Sequence, residues 1–160
     1  MTDVLPSRCS PERTALRCRP VRGPAELAAH HAIRRAVFVD EQRLFHPDDL
    51  DAYDVSGATV HVLGLVDTLA AGTVRLYPLA GEGLWKGDRL AVLREHRHAG
   101  IGGPLVRLAV ATAGALGGSR MIAQVQAPNV PFFLDLGWSC EGAPADHLGV
   151  LHQQMTIALR

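Results

Sequence analysis

"RLAVLREHRHAGIGGPLVRLAVATAGALGG", residues 89–118, reads as strand, turn and helix in immediate succession. "RLAVL" is an apolar strand-like run. Leu105 to about Leu116 carries apolar residues almost all round, and Gly117 and Gly118 are stop signals, so this helix is expected to be largely buried. Between them stand cationic side chains and three glycines. The first N–H groups of a helix have no intrahelical partner, and the positive end of the helix dipole lies behind them, so this end favours an anion. Gly100, Gly102 and Gly103 remove Cβ atoms where a large anion would touch the backbone. Pro104 gives up an N–H that would be orphaned in the first turn. Arg94, His96, Arg97 and His98 add positive or proton-donating groups around the same spot. A phosphate or pyrophosphate is the expected guest; a tight ligand-free turn would use the same glycines.

Outward from this stretch, the elements alternate in length and period. "LRCRPV" is a short strand, and Pro24 opens a helix over "AELAAHHAIRRAVF". After the acidic loop "HPDDLDAYDVSG", the β-branched runs "TVHVLGLVD" and "GTVRLYPL", split by "TLAAG", form an antiparallel hairpin. "LWKGDRLAVL" is the next strand and "RMIAQVQ" a central one. A short helix at "VPFFLDLG", a strand at "WSCEG" and a last strand near "LHQQMTIAL" complete the order β-α-β-β-β-α-β-α-β-β. This is an α/β (α+β) arrangement, a mixed sheet with helices on its faces. Residues 1 to about 15 mix proline, serine, arginine and acids without period, which reads as a flexible tail.

Composition narrows the function. The chain has 160 residues, enough for one domain with a core. Lys plus Arg and Asp plus Glu number 16 each, so no global field favours nucleic acid or an anionic membrane. Cys9, Cys18 and Cys140 cannot all pair and have no C-x-x-C spacing. With no apolar leader and no run near the roughly 18 apolar residues of a membrane span, a cytoplasmic, soluble protein is expected. The phosphate turn is not a Walker loop, since Gly-Lys-Ser/Thr is missing, and it lacks the dinucleotide G-x-G-x-x-G with a following acid.

What the stretch does fit is R-x-x-G-x-G, as Arg97-His98-Ala99-Gly100-Ile101-Gly102. It resembles the pyrophosphate loop of the GNAT-fold N-acetyltransferases. "QAPNVPFFLDLGW" is similar to that family's helix motif, with Phe132-Phe133 and Leu136-Gly137-Trp138 in matching places. "RRAVFVDEQ" resembles the Val-Phe-x-x-Glu-Gln signature of the ElaA-like branch, and "LWKGDRLAV" and "GVLHQQMTIAL" resemble a subgroup associated with bacterial nitrogen-starvation gene clusters. The resemblance covers about residues 16–160, as a single acyltransferase domain.

It implies a mostly antiparallel sheet in which the strand holding Leu90, Ala91 and Val92 splays from the strand Ile122–Gln126, with pantetheine in the gap. The donor is then acetyl-CoA and the acceptor a small-molecule amine. His98, Ala99, Gly100, Ile101, Gly102 and Gly103 would offer main-chain N–H groups to the pyrophosphate, with Arg97 at its edge. Asn129 would contact the pantetheine arm, or cap the short helix, and Phe132 would lie beside it. Family members frequently dimerise, so a homodimer is an open expectation.

An alkylammonium has a pKa near 10, so transfer needs a base. Glu41 is the first candidate and Asp88 the second; a solvated helix-end carboxylate and a strand-edge ion pair are the plainer roles for them. Phe133 departs from the tyrosine that often protonates the leaving sulfur, which leaves Tyr77 or Cys140 as substitutes. A CoA-binding scaffold with little turnover is the alternative reading, and a non-CoA nucleotide binder another. Asp48, Asp49, Asp51 and Asp54 with His46 form an acidic patch that either attracts a cationic amine or makes a hydrated turn. His30-His31 and His147…His152 form no ligand quartet, and no metal site is expected.

Overall fold

The structure, a computed structural model, describes residues 13–160. Most of the expected tail, residues 1–12, lies outside the described residues. The chain order is β1 (Leu16–Pro20), α1 (Gly23–Arg34), β2 (Val60–Val66), β3 (Leu69–Pro78), β4 (Leu84–Val92), α2 (Gly102–Ala115), β5 (Arg120–Gln126), α3 (Val130–Asp135), β6 (Ser139–Cys140), β7 (Ala145–His147) and β8 (Val150–Ala158). The strands form one sheet in the order β1-β2-β3-β4-β5-β8-β6, with β7 on β8. Every pairing is antiparallel except β4 with β5.

Each face of the sheet is covered differently. On one, Ile33 of α1, together with Val37 and Phe38 just beyond it, meets Leu63, Leu65 and Ala91. On the other, Leu105, Val106, Ala109 and Ala113 of α2 meet Val62, Val74, Leu76, Met121 and Met155, with Phe133 and Trp138 closing the end. Leu63 and Leu65 thus face α1 while Val62 faces α2, so β2 is apolar on both sides, as a central strand must be. A pair of glycines lets α2 sit low. Gly64 and Gly72 are register partners on β2 and β3. A Cβ on Gly64 would lie 2.9 Å from Ile101 Cγ1, and one on Gly72 2.8 Å from Leu105 Cδ1. The first turn of α2 therefore rests on bare backbone, which fixes the height of the helix mouth above the sheet.

Four expectations are corrected. The β2–β3 turn is Asp67-Thr68 alone, with Asp67 at φ +53°, so Leu69, Ala70 and Ala71 belong to the strand. α2 takes in Gly102 and Gly103 as well, ahead of Pro104, which stands in the first turn as expected; glycines mask helical character. β7 carries no alternation that would announce it. The first helix does not run through in α geometry, because Arg35–Glu41 widens into a π-helical turn in which the Gln42 N–H donates to Val37 O at 2.8 Å.

Beneath α1, His30 is fully buried and donates from Nδ1 to Val62 O at 3.1 Å, while its Nε2 lies 3.4 Å from His61 Nδ1. Burial, then the nearby Arg34 charge, pushes the His30 imidazolium down to about 3 from 6.5. His31 and His61 are lowered too, burial again leading. Between those limits the unfolded chain binds a proton that the folded one refuses, so stability is complete above the unfolded value and is lost on acidification. We expect His30 to remove about 1.4 kcal/mol of stability for each pH unit below 6.5. Urea midpoints at pH 7 and pH 5 check this, with His30→Gln giving the smaller difference.

Candidate functional site

β4 and β5 begin as a parallel pair, Leu84 with Arg120, Trp85 with Met121 and Lys86 with Ile122, and then part. Beyond that point the β5-side main-chain groups of Gly87–Val92 have no strand partner. A bulge drives the separation. Thr73 pairs with Ala91 and Arg75 with Asp88, so two β4 residues oppose Val74 alone, and Arg89 sits at φ +51° with its carbonyl accepting from Thr73 Oγ1 at 2.9 Å. The gap is a cleft of about 200 Å³. Phe38, Phe45, Leu90, Phe133 and Trp138 make it apolar, and Lys86, Asp88, Asn129, His147 and His152 give it polar points.

At the rim lies the glycine-rich turn. Arg94–Ala99 forms a 3-10 turn, Gly100 takes the left-handed conformation at φ +77°, and α2 starts at Gly102 with no side chain capping it. A Cβ on Gly100 would meet nothing within 4 Å, whereas one on Gly102 would point at Phe132 Cζ, 3.5 Å away. Ile101 is buried, so this part of the loop offers main chain, and Ala99 lies against the core. His98 is exposed, and Gly102 and Gly103 are half-buried in the first turn of α2. Leu90 lines the cleft, while Ala91 and Val92 continue the same unpaired strand edge. Asn129 lines the cleft and makes no cap bond, so the capping alternative is not realised.

Neither carboxylate chosen as the base is free. Glu41 takes Arg97 Nη1 and Nη2 at 2.7 and 2.8 Å, with Arg94 at 3.3 Å. The Arg97 bonds hold its carboxyl below the usual carboxylate range. Arg97 also donates from Nε to Val92 O at 3.0 Å, so it ties the loop to β4 and to the end of the π-helical turn. Asp88 lies in the cleft wall, yet one oxygen takes Arg75 Nε at 2.8 Å, and the other takes Arg75 Nη2 at 2.8 Å and the Tyr77 hydroxyl at 2.9 Å.

The two substitutes for a proton donor fare no better. Burial, then Asp88, raises the Tyr77 hydroxyl well above its ordinary value, and Tyr77 does not line the cleft. Cys140 is exposed on β6, away from it.

The acidic loop is in part the exposed turn expected, with Asp51 accepting the Tyr53 N–H, but Asp49 and Asp54 are drawn inward by ion pairs. Arg34 and Arg75, both fully buried, take Asp49, Asp51 and Asp54, and Arg89 bonds Asp49 while stacking on Phe45 at 4.4 Å. Asp48 caps the N–H of Leu50. The loop is therefore pinned to the sheet face beside the cleft. Among the described residues no group of three or more His, Cys, Asp or Glu side chains is arranged to hold a metal ion.

Two features escaped the sequence reading. Gln126 Nε2 donates to Gln42 Oε1 at 2.9 Å, bridging β5 and the end of the π-helical turn. His152, paired in register with Gln126, lines the cleft with His147. The available signal is polar residues at every second place on the last strand, His152, Gln154 and Thr156, which marks a polar face.

Residues 27–138 match the model of the acetyltransferase (GNAT) family. An N-acetyltransferase of Bacillus subtilis (strain 168), YjcF, described as uncharacterized, is 29% identical over 106 residues, which are 66% of this chain and 73% of that protein. Among solved structures, Escherichia coli ElaA aligns with TM-score 0.78 and 20% identity over 89% of this chain and 99% of its own. An acyl-CoA N-acyltransferase from Pseudomonas aeruginosa aligns with TM-score 0.75 and 22% identity over 89% and 98%. No helix of the described residues is long and apolar enough to cross a membrane.

Proposed function

The chain belongs to the acetyltransferase (GNAT) family, and from that membership we propose that it transfers an acetyl group from acetyl-CoA to the primary amine of a small molecule in a ternary complex. The observation that carries this reading is the uncapped, glycine-lined mouth of α2 opening beside the cleft where β4 leaves β5. A diphosphate fits there on the chemistry of the donors: α2 opens with the uncapped main-chain N–H groups of Gly102 and Gly103, the Gly100 N–H is held only at 3.5 Å by Arg97 O, and no Cβ stands at Gly100, Gly102 or Gly103.

The unpaired edge at Leu90, Ala91 and Val92 would take the pantetheine amides, with Asn129 and Phe132 beside the arm. Arg97 acts as a brace that holds the loop through Glu41 and Val92 rather than as a phosphate ligand. When bound, the donor supplies an acyl thioester. Phe38, Phe45, Phe133 and Trp138 line the region where it would lie and would shield it from water. The membership in the nitrogen-starvation subgroup, the use of acetyl rather than longer acyl groups, and a cytoplasmic setting, in keeping with free thiols at Cys18 and Cys140, are parts of the same reading.

One observation favours a second reading, a CoA-binding scaffold with little turnover: Phe133 has no hydroxyl, and neither Tyr77 nor Cys140 reaches the cleft. Thiol release from acetyl-CoA with a panel of small amines separates the two. Amine-dependent release is the expected result; tight CoA binding with no amine-dependent release favours the scaffold.

A further inference from the structure

A transferase of this kind must take a proton from an acceptor that arrives as an ammonium of pKa about 10, because only the neutral amine attacks. With Glu41 held by Arg97 and Asp88 by Arg75 and Tyr77, the ionisable groups left in the cleft wall are Lys86, Arg89, His147 and His152. Arg89 is bonded to Asp49, and a lysine is an amine of the acceptor's own kind with no advantage in taking its proton. The two histidines differ in how they are held: His147 is exposed on β7, whereas His152 is only 8% exposed on β8. His152 donates from Nδ1 to Val150 O at 2.8 Å. That bond fixes the tautomer with the lone pair on Nε2, as a base requires, and no described group bonds to Nε2.

We propose that His152 is the general base that takes the proton from the acceptor's ammonium. The proposal rests on the transferase reading above. The groups that share the cleft lining with it are His147, whose ring centroid lies 5.4 Å from its own, its register partner Gln126 on β5, and Phe133, Trp138, Gln42 and the β4 residues Lys86, Asp88 and Arg89. Asp88 and Arg89 are already paired with Arg75 and Asp49, so the wall opposite the imidazole carries little free charge besides Lys86. The proton balance is simple. His152 Nε2 takes the first proton from the ammonium; the neutral nitrogen bonds to the acyl carbon, and the carbon–sulfur bond breaks with its electron pair on sulfur. The second nitrogen proton passes through water to that thiolate. The imidazolium returns its proton to solvent, so the net products are amide, thiol and one proton. Phe133 is consistent with this route, which asks no tyrosine for a proton.

His152→Asn tests the assignment, because the amide nitrogen of asparagine can keep the bond to Val150 O while Nε2 is lost. The wild type is expected to show kcat falling toward acid. His152→Asn should lower kcat by about 10²- to 10⁴-fold and abolish that acid limb, with coenzyme A affinity measured by calorimetry unchanged. His147→Asn should keep the limb. A second readout needs no turnover: long-range ¹H–¹⁵N spectra of the free protein should show His152, identified by its loss in the variant, as the Nδ1–H tautomer. An acid limb that survives in His152→Asn, one that vanishes in His147→Asn, or an Nε2–H tautomer would each overturn the proposal while leaving the transferase reading intact. A wild type that acylates no amine overturns both.

Discussion

Arg75→Ala is expected to cost about 3–5 kcal/mol, a fall in Tm of about 10 °C for a chain of this size. The guanidinium has no exposure at all and holds three carboxylates: Asp51 at 2.7 Å, Asp54 at 3.1 Å and Asp88 at 2.8 Å. It also lies over Tyr77 at 5.3 Å and Tyr53 at 5.9 Å, rings that stack on each other at 3.7 Å. Removing it leaves like charges facing one another at the edge of the core, with Arg34 and Arg89 too few to satisfy them. The loss is greater than the worth of the pairs, because the desolvation of Asp54 and Asp88 persists after their partner has gone. Urea unfolding at pH 7 measures the effect. Adding Asp88→Asn to the variant should restore part of the stability; a double variant no more stable than Arg75→Ala alone would show that repulsion at Asp88 is not the cause.

Gly102→Val should weaken coenzyme A binding by about 10- to 100-fold, the equivalent of one or two hydrogen bonds to a charged group, with little change in Tm. The new side chain grows toward Phe132, which is exposed and has room to swing, so folding is spared. It also covers the first free N–H groups of α2, where the diphosphate is proposed to sit. Calorimetry with coenzyme A and with dephosphorylated pantetheine distinguishes the parts of the ligand. Loss confined to the former supports the diphosphate cradle; equal binding of coenzyme A to variant and wild type would remove it.

The fold was legible where local chemistry is strong. "RMIAQVQ" is β5 to the residue, and the glycines at 100, 102 and 103 mark the strand-to-helix junction because few other structures need them. The acidic loop illustrates the opposite case. Asp49, Asp51 and Asp54 look like surface turn residues, since nothing nearby in sequence reveals that Arg34 and Arg75, 15 to 24 residues away, will arrive beneath them. Glu41 stands out as a base by its place in a motif; the Arg97 that occupies it lies 56 positions on. His152 is inconspicuous in sequence for a similar reason: its environment is made by β5, β7 and the splay, none of which is local to "LHQQMT". Partners brought together by tertiary structure decide whether a titratable side chain is spent or available, and composition is silent on that.

The π-helical turn at Arg35–Glu41 acts as a spacer of one residue. A chain shortened by a single position there would close that ring to the ordinary i→i−4 bond and leave the residues after it on nearly the same faces, because the wide turn already holds one residue more than α geometry needs. A chain lengthened by one position has no such outlet: every side chain after the insertion would swing by about 100°. Glu41 would then miss Arg97, and Gln42 would miss Gln126, cutting two straps that join opposite walls of the gap.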